Sequence, residues 1–200
     1  MPIDTLFALV SFAFVMSISP GPGNFLLLSS GVNFGFFRSL PLILGICIGF
    51  LTMVFFVGIG LGQLLNSYPV ALTILKLVCG TYVLWLAWKI GKSRSMSGNN
   101  DGPVDKPISF LQAALFQLVN PKAWAVAFIV TVSYTNPDHY IPSLLLMILV
   151  FATVNIPAIS VWAASGMALR RIIGNEKRIA IFNISMAVLL VGSMIPVLIT

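Results

Sequence analysis

Six long apolar runs constrain this chain more than any other feature. They lie at roughly 4–32, 40–62, 69–89, 109–134, 142–166 and 179–199 of its 200 residues. Each has room for the ~20 helical residues that cross a hydrocarbon core of roughly 30 Å. The runs are continuous and do not alternate, so they predict helices and not barrel strands. Only 8% of residues are charged, against roughly 25% in a soluble domain. That is too little charge to cover a water-facing surface, and the lipid bilayer must solvate most of the chain. The expectation is an all-α integral membrane protein with six transmembrane helices. Its opening, MPIDTLFALVSFAFVMSIS, has the apolar stretch of a cleavable signal but no positive residue before it, and PGPG follows directly. It reads as a retained first span.

The net charge of +6 would point to nucleic acid in a soluble protein, but here the basic residues sit between apolar runs, which excludes that partner. Nine of the eleven Lys and Arg fall on one side of the expected membrane: Arg38 after span one, Lys89, Lys92, Arg94 and Lys106 around the central linker, and Arg170, Arg171, Lys177 and Arg178 after span five. The opposite turns, at 63–69 and 135–142, have none. The positive-inside rule makes the basic side cytoplasmic and sends both termini outward. Trp88, Tyr68, Tyr134 and Tyr140 stand where interfacial aromatics belong.

Two lysines break the pattern. Lys76, in span three, suits a side chain snorkelling to the outer interface. Lys122 falls near the middle of span four, where a lysine costs about 2.5–3.5 kcal/mol to insert. No Asp or Glu lies within any span apart from Asp4 at the rim, so no carboxylate partner is in view. A cost of that size marks function.

Beside that lysine the helix must break. Pro121 has no N–H and clashes with the carbonyl four residues back, while Asn120 is a good N-cap. Span one has a matching interruption in Ser19, Pro20, Gly21, Pro22 and Gly23, followed by Asn24. The two breaks lie about 100 residues apart, which suggests an internal repeat. Residues 1–90 form a first three-helix half, 91–108 a polar cytoplasmic linker, and 109–200 a second half, together one transporter domain. Three spans per half is odd, so the expected architecture is a 3+3 inverted repeat with broken helices in spans one and four. Such breaks bind substrate near the bilayer midplane. Two half-helix N-termini carry partial positive charge, and with the Lys122 ammonium they favour an anionic group such as an amino-acid carboxylate. Asn24, Asn120 and Lys122 are the expected substrate-binding residues.

Other features carry weaker readings. Gln117, Asn155 and Asn183 are candidates to line a cavity, and buried packing fits them as well. The pairs Gly31/Gly35 and Gly45/Gly49 read as close helix contacts. Ser109 with Gln112 has the spacing of a capping box opening span four. Cys47 and Cys79 read as packing residues and His139 as a solvated turn residue. No metal site is expected, nor a cofactor, nor an enzyme, because the spans offer no His, Asp or Glu for chemistry.

The run SPGPGNFLLLSSGVNFGFFRSLPLILGICIGF at 19–50, the block LKLVCGTYVLWLAWK at 75–89 and LVNPKAW at 118–124 resemble the signatures of the LysE/RhtB family of bacterial amino-acid exporters. The resemblance implies six spans, amino-acid efflux across the inner membrane, proton exchange, and motif roles for Pro20, Gly21, Pro22, Asn24, Asn120, Pro121 and Lys122. Two departures stand out: Gly23 separates Pro22 from Asn24 where the family often reads PGPN, and span two lacks the acidic residue many members carry. The proton carrier is then Asp4, Lys122 or the substrate itself. PISFLQAALFQLVNPKAW at 107–124 and an uncharged cavity favour a small neutral amino acid or a cysteine/O-acetylserine-like metabolite. A passive solute channel built from paired half-helices is the alternative function, and a homodimer is left open.

Overall fold

The computed structural model describes residues 1–60, 69–92, 106–173 and 175–193. These form eight α-helices and two short 3-10 turns, with no strand among the described residues. The helices are α1 (Ile3–Ile18), α2 (Pro22–Phe34), α3 (Leu40–Gly58), α4 (Pro69–Lys92), α5 (Phe110–Val119), α6 (Pro121–Ser133), α7 (Tyr140–Ile173) and α8 (Glu176–Gly192). The turn expected at 63–69 is described only at its last residue. Arg94 and most of the linker, Tyr68, the end of the last run, and the side chains of Lys76 and Cys79 lie outside the described residues.

Both expected breaks are formed. The axes of α1 and α2 bend by 54° across Ser19, Pro20 and Gly21, and those of α5 and α6 bend by 71° at Asn120. By length and apolar composition, Phe37–Gly58 and Pro137–Ile173 are each sufficient to cross a membrane, and the two bent pairs raise the number to four if each is one span. Helices α4 and α8 stand where the third and sixth crossings were expected, without adding to that number. The capping box is complete: Ser109 accepts from the Gln112 N–H, and Gln112 accepts from the Ser109 N–H.

Packing has a reciprocal pattern. Helix α7 lies against both pieces of the first broken helix, α1 and α2, while α3 lies against both pieces of the second, α5 and α6; α4 packs on α8. The two most extensive crossings are made through small residues. A Cβ at Gly31 would sit 2.1 Å from the Ala163 carbonyl oxygen, and one at Gly166 would sit 2.2 Å from that of Leu28, so α2 and α7 touch backbone to backbone. Gly45 and Gly49 do the same for α3 against Phe110, Ala113 and Ala114 of α5. Gly35 is a correction to the packing reading. Its φ is +80° and the space around it is open, so it ends α2 through a left-handed turn that L side chains avoid.

The buried apolar residues form two clusters. One joins Leu26, Leu27, Ile43, Ile46, Leu86, Phe116, Ile159 and Leu190, from α2, the start of α3, α4, α5, the end of α7 and α8. The other joins Leu9, Phe50, Val54, Val126, Val130, Met147 and Phe151, from α1, the end of α3, α6 and the start of α7. The helix breaks fall where these two clusters meet. Tyr82 ties α4 to α5 by donating to the Gln112 carbonyl at 2.7 Å, and Tyr140 donates to the Gly58 carbonyl at the end of α3, also at 2.7 Å.

Replacing Gly166 by Ala should force α2 and α7 apart. Overpacking of this kind costs about 1–3 kcal/mol. Gly192→Ala, where a Cβ meets nothing within 4 Å, should leave the melting temperature in detergent unchanged. Equal melting temperatures for the two variants would contradict the backbone contact.

Candidate functional site

Prolines remove hydrogen bonds at fixed positions, and the first break can be read as the replacement of each one. Pro20 leaves the Met16 carbonyl without its helical donor, and Pro22 does the same to Ile18. The Ser19 hydroxyl donates to the Met16 carbonyl at 3.2 Å, and the Trp162 indole N–H, from α7, donates to Ile18 at 3.0 Å. The Asn24 amide donates to both the Ser17 and Ser19 carbonyls at 2.8 Å. The Ser19 N–H closes the last turn on Val15 at 3.0 Å. Every carbonyl at the end of α1 is thereby satisfied, although the backbone is irregular and sits at membrane depth.

Lys122 completes this set from the other half of the chain. Its Nζ donates to the Ser19 carbonyl and to the Ser19 hydroxyl oxygen, both at 2.7 Å. The lysine that lacked a carboxylate in the sequence is thus held at the negative end of α1, where a helix dipole favours a cation. Two charge-assisted hydrogen bonds of about 1.5–3 kcal/mol each are of the size needed to offset its cost of insertion. An ammonium has three protons, so one is left for the cavity beside it. The stem reaches Ser19 by passing over Gly21, where a Cβ would lie 2.8 Å from Lys122 Cδ.

The second break is organised differently. Asn120 caps α6 itself: its side-chain oxygen accepts from the Lys122 N–H at 3.2 Å and its carbonyl accepts from the Ala123 N–H at 3.0 Å. The Asn120 amide donates to the Gln117 side-chain oxygen at 3.2 Å. The Asn120 N–H takes over the Gln117 carbonyl that Pro121 orphans, at 3.2 Å, and the Trp124 indole donates to the Leu118 carbonyl at 2.8 Å. At α2, by contrast, Gly21 provides no side-chain cap. Of the two half-helix N-termini expected to face a ligand, α6 is closed by its own asparagine. The α2 terminus keeps the N–H groups of Gly23 and Asn24 uncapped.

Between the breaks lies a cavity of about 60 Å³, several times the roughly 10–15 Å³ that one water needs. Ser17, Gly21, Gly23, Asn24, Gln117, Asn120 and Lys122 line it from the broken helices, together with the apolar Met16, Ala123 and Val126, and Ile46, Phe50, Phe151, Asn155 and Ile159 line it from α3 and α7. Asn24, Asn120, Lys122, Gln117 and Asn155 are therefore brought together. Ser19, Pro20 and Pro121 build the frame without lining the cavity. Asn183 stands apart from it. It is fully buried in a reciprocal amide pair with Asn33 of α2, at 2.8 and 2.9 Å. Sequence reasoning missed Ser17, Trp162 and the apolar wall; counting the carbonyls orphaned by Pro20 and Pro22 would have called for donors from elsewhere in the chain. Among the described residues no cluster of His, Cys, Asp or Glu could hold a metal ion.

Two apolar helices long enough to cross a bilayer, and two bent helix pairs that meet at a cavity of mixed polar and apolar lining, define a multi-pass helical membrane protein. The LysE type translocator model matches residues 14–199, and the chain belongs to that family. It is 36% identical over 118 residues to the cysteine/O-acetylserine efflux proteins of Escherichia coli O157:H7 and of Escherichia coli strain K12. That match covers 58% of this chain and 58% of each relative's length. No solved structure matches it.

The Lys122 link yields a stability test. Backbone φ at Gly21 is 179°, which any residue adopts, so Gly21→Ala should fold while pushing the lysine off Ser19, at a cost of about 1.5–3 kcal/mol. Gly23→Ala, where a Cβ comes no closer than 3.6 Å to its neighbours, should melt like the parent. In a Lys122→Ala background, where the side chain ends at Cβ, Gly21→Ala should cost nothing further; an unchanged penalty there would mean that the lysine stem is not what it strikes.

Proposed function

We propose that this protein is a secondary transporter that exports small neutral amino acids, or cysteine/O-acetylserine-like metabolites, from the bacterial cytoplasm in exchange for protons. In this reading the chain crosses the inner membrane six times. Both termini face the periplasm, and residues 91–108 form the cytoplasmic linker. The reciprocal packing of α7 on the first broken helix and α3 on the second supports a 3+3 inverted repeat.

One observation carries the reading. The two breaks meet through Lys122 and Ser19, 103 residues apart, and border a cavity that has no carboxylate among its lining residues. A zwitterion with a neutral side chain suits such a site. Its carboxylate would be received by the open N–H groups of Gly23 and Asn24 and the remaining proton of Lys122, a combination of helix N-terminus and cation that favours anions. A cationic side chain would find no acidic partner in that cavity. The names of the Escherichia coli relatives point to the same class of cargo.

Proteoliposomes holding the full chain and a panel of labelled amino acids test this directly. The expected result is uphill movement of a small neutral amino acid that collapses with the pH gradient. Downhill flux alone would instead establish the channel. Lys122→Ala, inserted normally, should raise the apparent KM for the substrate by ~10-fold or more, with Lys122→Arg intermediate. An unchanged KM in the alanine variant would remove Lys122 from the binding site.

A further inference from the structure

The helices that line the cavity contribute different chemistry. Around the breaks the amides and the ammonium have protein partners: Asn24 holds two carbonyls, Asn120 holds Gln117 and the Lys122 N–H, and Lys122 holds Ser19. Asn33 and Asn183, as deeply buried, satisfy each other. Among the described buried amides Asn155 is the exception. It is only 5% exposed and lines the cavity, and among the described residues its side chain bonds no other amide, hydroxyl or carbonyl; its contact is with the Cys47 thiol. An amide offers two donors and an acceptor with two lone pairs, and a thiol is a weak partner for any of them. Buried amides in proteins are otherwise hydrogen-bonded.

Its surroundings sharpen the point. Asn155 sits one helical turn from Phe151 and one from Ile159 on α7, so all three share a face. Opposite them α3 presents Ile46 and Phe50, with the Phe50 and Phe151 rings 5.4 Å apart. The part of the lining that α3 and α7 provide is therefore apolar except for one amide. A ligand whose charged head rests at the breaks would lay its side chain against these residues, within reach of Asn155. The small volume allows only a short side chain.

We propose that Asn155 is the residue that reads the substrate's side chain. It would select short amino acids whose side chain ends in a hydrogen-bonding group, a hydroxyl, thiol or ester carbonyl, over apolar ones of the same size. This inference rests on the exporter reading above. The physical basis is that a site built to bond a polar group rejects the analogue lacking it, because the site's own buried group is then left without a partner.

The test uses proteoliposomes of the full chain and compares exchange of serine and cysteine with that of 2-aminobutyrate, which puts a methyl group where they carry a hydroxyl or thiol. The parent should prefer the polar pair by at least ~10-fold in kcat/KM. Asn155→Leu should bring the ratio close to one, raising KM for the polar pair and lowering it for 2-aminobutyrate, which no longer leaves a buried amide without a partner. Asn155→Thr, smaller and still hydrogen-bonding, should recover part of the preference and serves if the leucine variant does not fold. A folded Asn155→Leu that keeps the parental ratio, an Asn155→Thr that abolishes flux of polar and apolar substrates alike, or a parent that prefers 2-aminobutyrate overturns the assignment while leaving an amino-acid exporter in place. A parent that moves no amino acid overturns the exporter reading, and this inference with it.

Discussion

Backbone polar groups inside a membrane must find partners within the protein, because lipid offers none. Much else in this structure follows from how that demand is met at residues 16–24. Three residues there interrupt the helix between α1 and α2, and two prolines remove donors that the preceding turn needs. The replacements come from four places: Ser19 within the break, Asn24 at the start of α2, Trp162 on α7 and Lys122 on α6. A break satisfied from so many elements cannot be assembled before those elements pack. The same bonds that tolerate the irregular backbone also hold the two halves of the chain together.

The packing explains why the polar residues can be gathered in one layer. Two apolar clusters, one built on α2, α4, α5 and α8 and the other on α1 and α6, share only the long helices α3 and α7. Ile46 and Ile159 belong to the first and Phe50 and Phe151 to the second, so each long helix passes from one cluster to the other at the level of the cavity. The close crossings at Gly31 with Gly166, and at Gly45 and Gly49 with α5, bring backbones together. Side chains there would widen the very gap that the breaks must bridge.

Much of this was legible in the sequence, for reasons that differ by residue. Proline chemistry is local, so Pro20, Pro22 and Pro121 marked both breaks, and the Asn120 cap and the Ser109 capping box needed only neighbouring residues to form. What the sequence could not show was long-range pairing. Lys122 looked uncompensated because its partner is not a carboxylate but the carbonyl end of a helix 103 residues away, a feature with no residue type to betray it. Asn155 and Asn183 looked alike as single asparagines in apolar spans. One faces the cavity and the other is locked to Asn33, and only the register of α7 and α8 against α2 separates them. Gly35 shared the spacing of a packing pair with Gly31, but the end of α2 uses it for a left-handed turn.

The two breaks are alike in position and unlike in electrostatics, and that difference gives the cavity a direction. At the second break Asn120 bonds the N–H groups of α6 and so spends the positive end of that helix on its own chain. At the first, glycine stands where a capping side chain would be, and the positive end of α2 stays open. Meanwhile the negative end of α1 is filled by the Lys122 ammonium. Of the four helix ends that converge on the cavity, the cation-attracting end of α1 is thus already occupied and the anion-attracting end of α2 is open. In the proposed exporter the resulting field would orient a substrate's anionic group toward Gly23 and Asn24 and leave its neutral remainder to the apolar residues of α3 and α7.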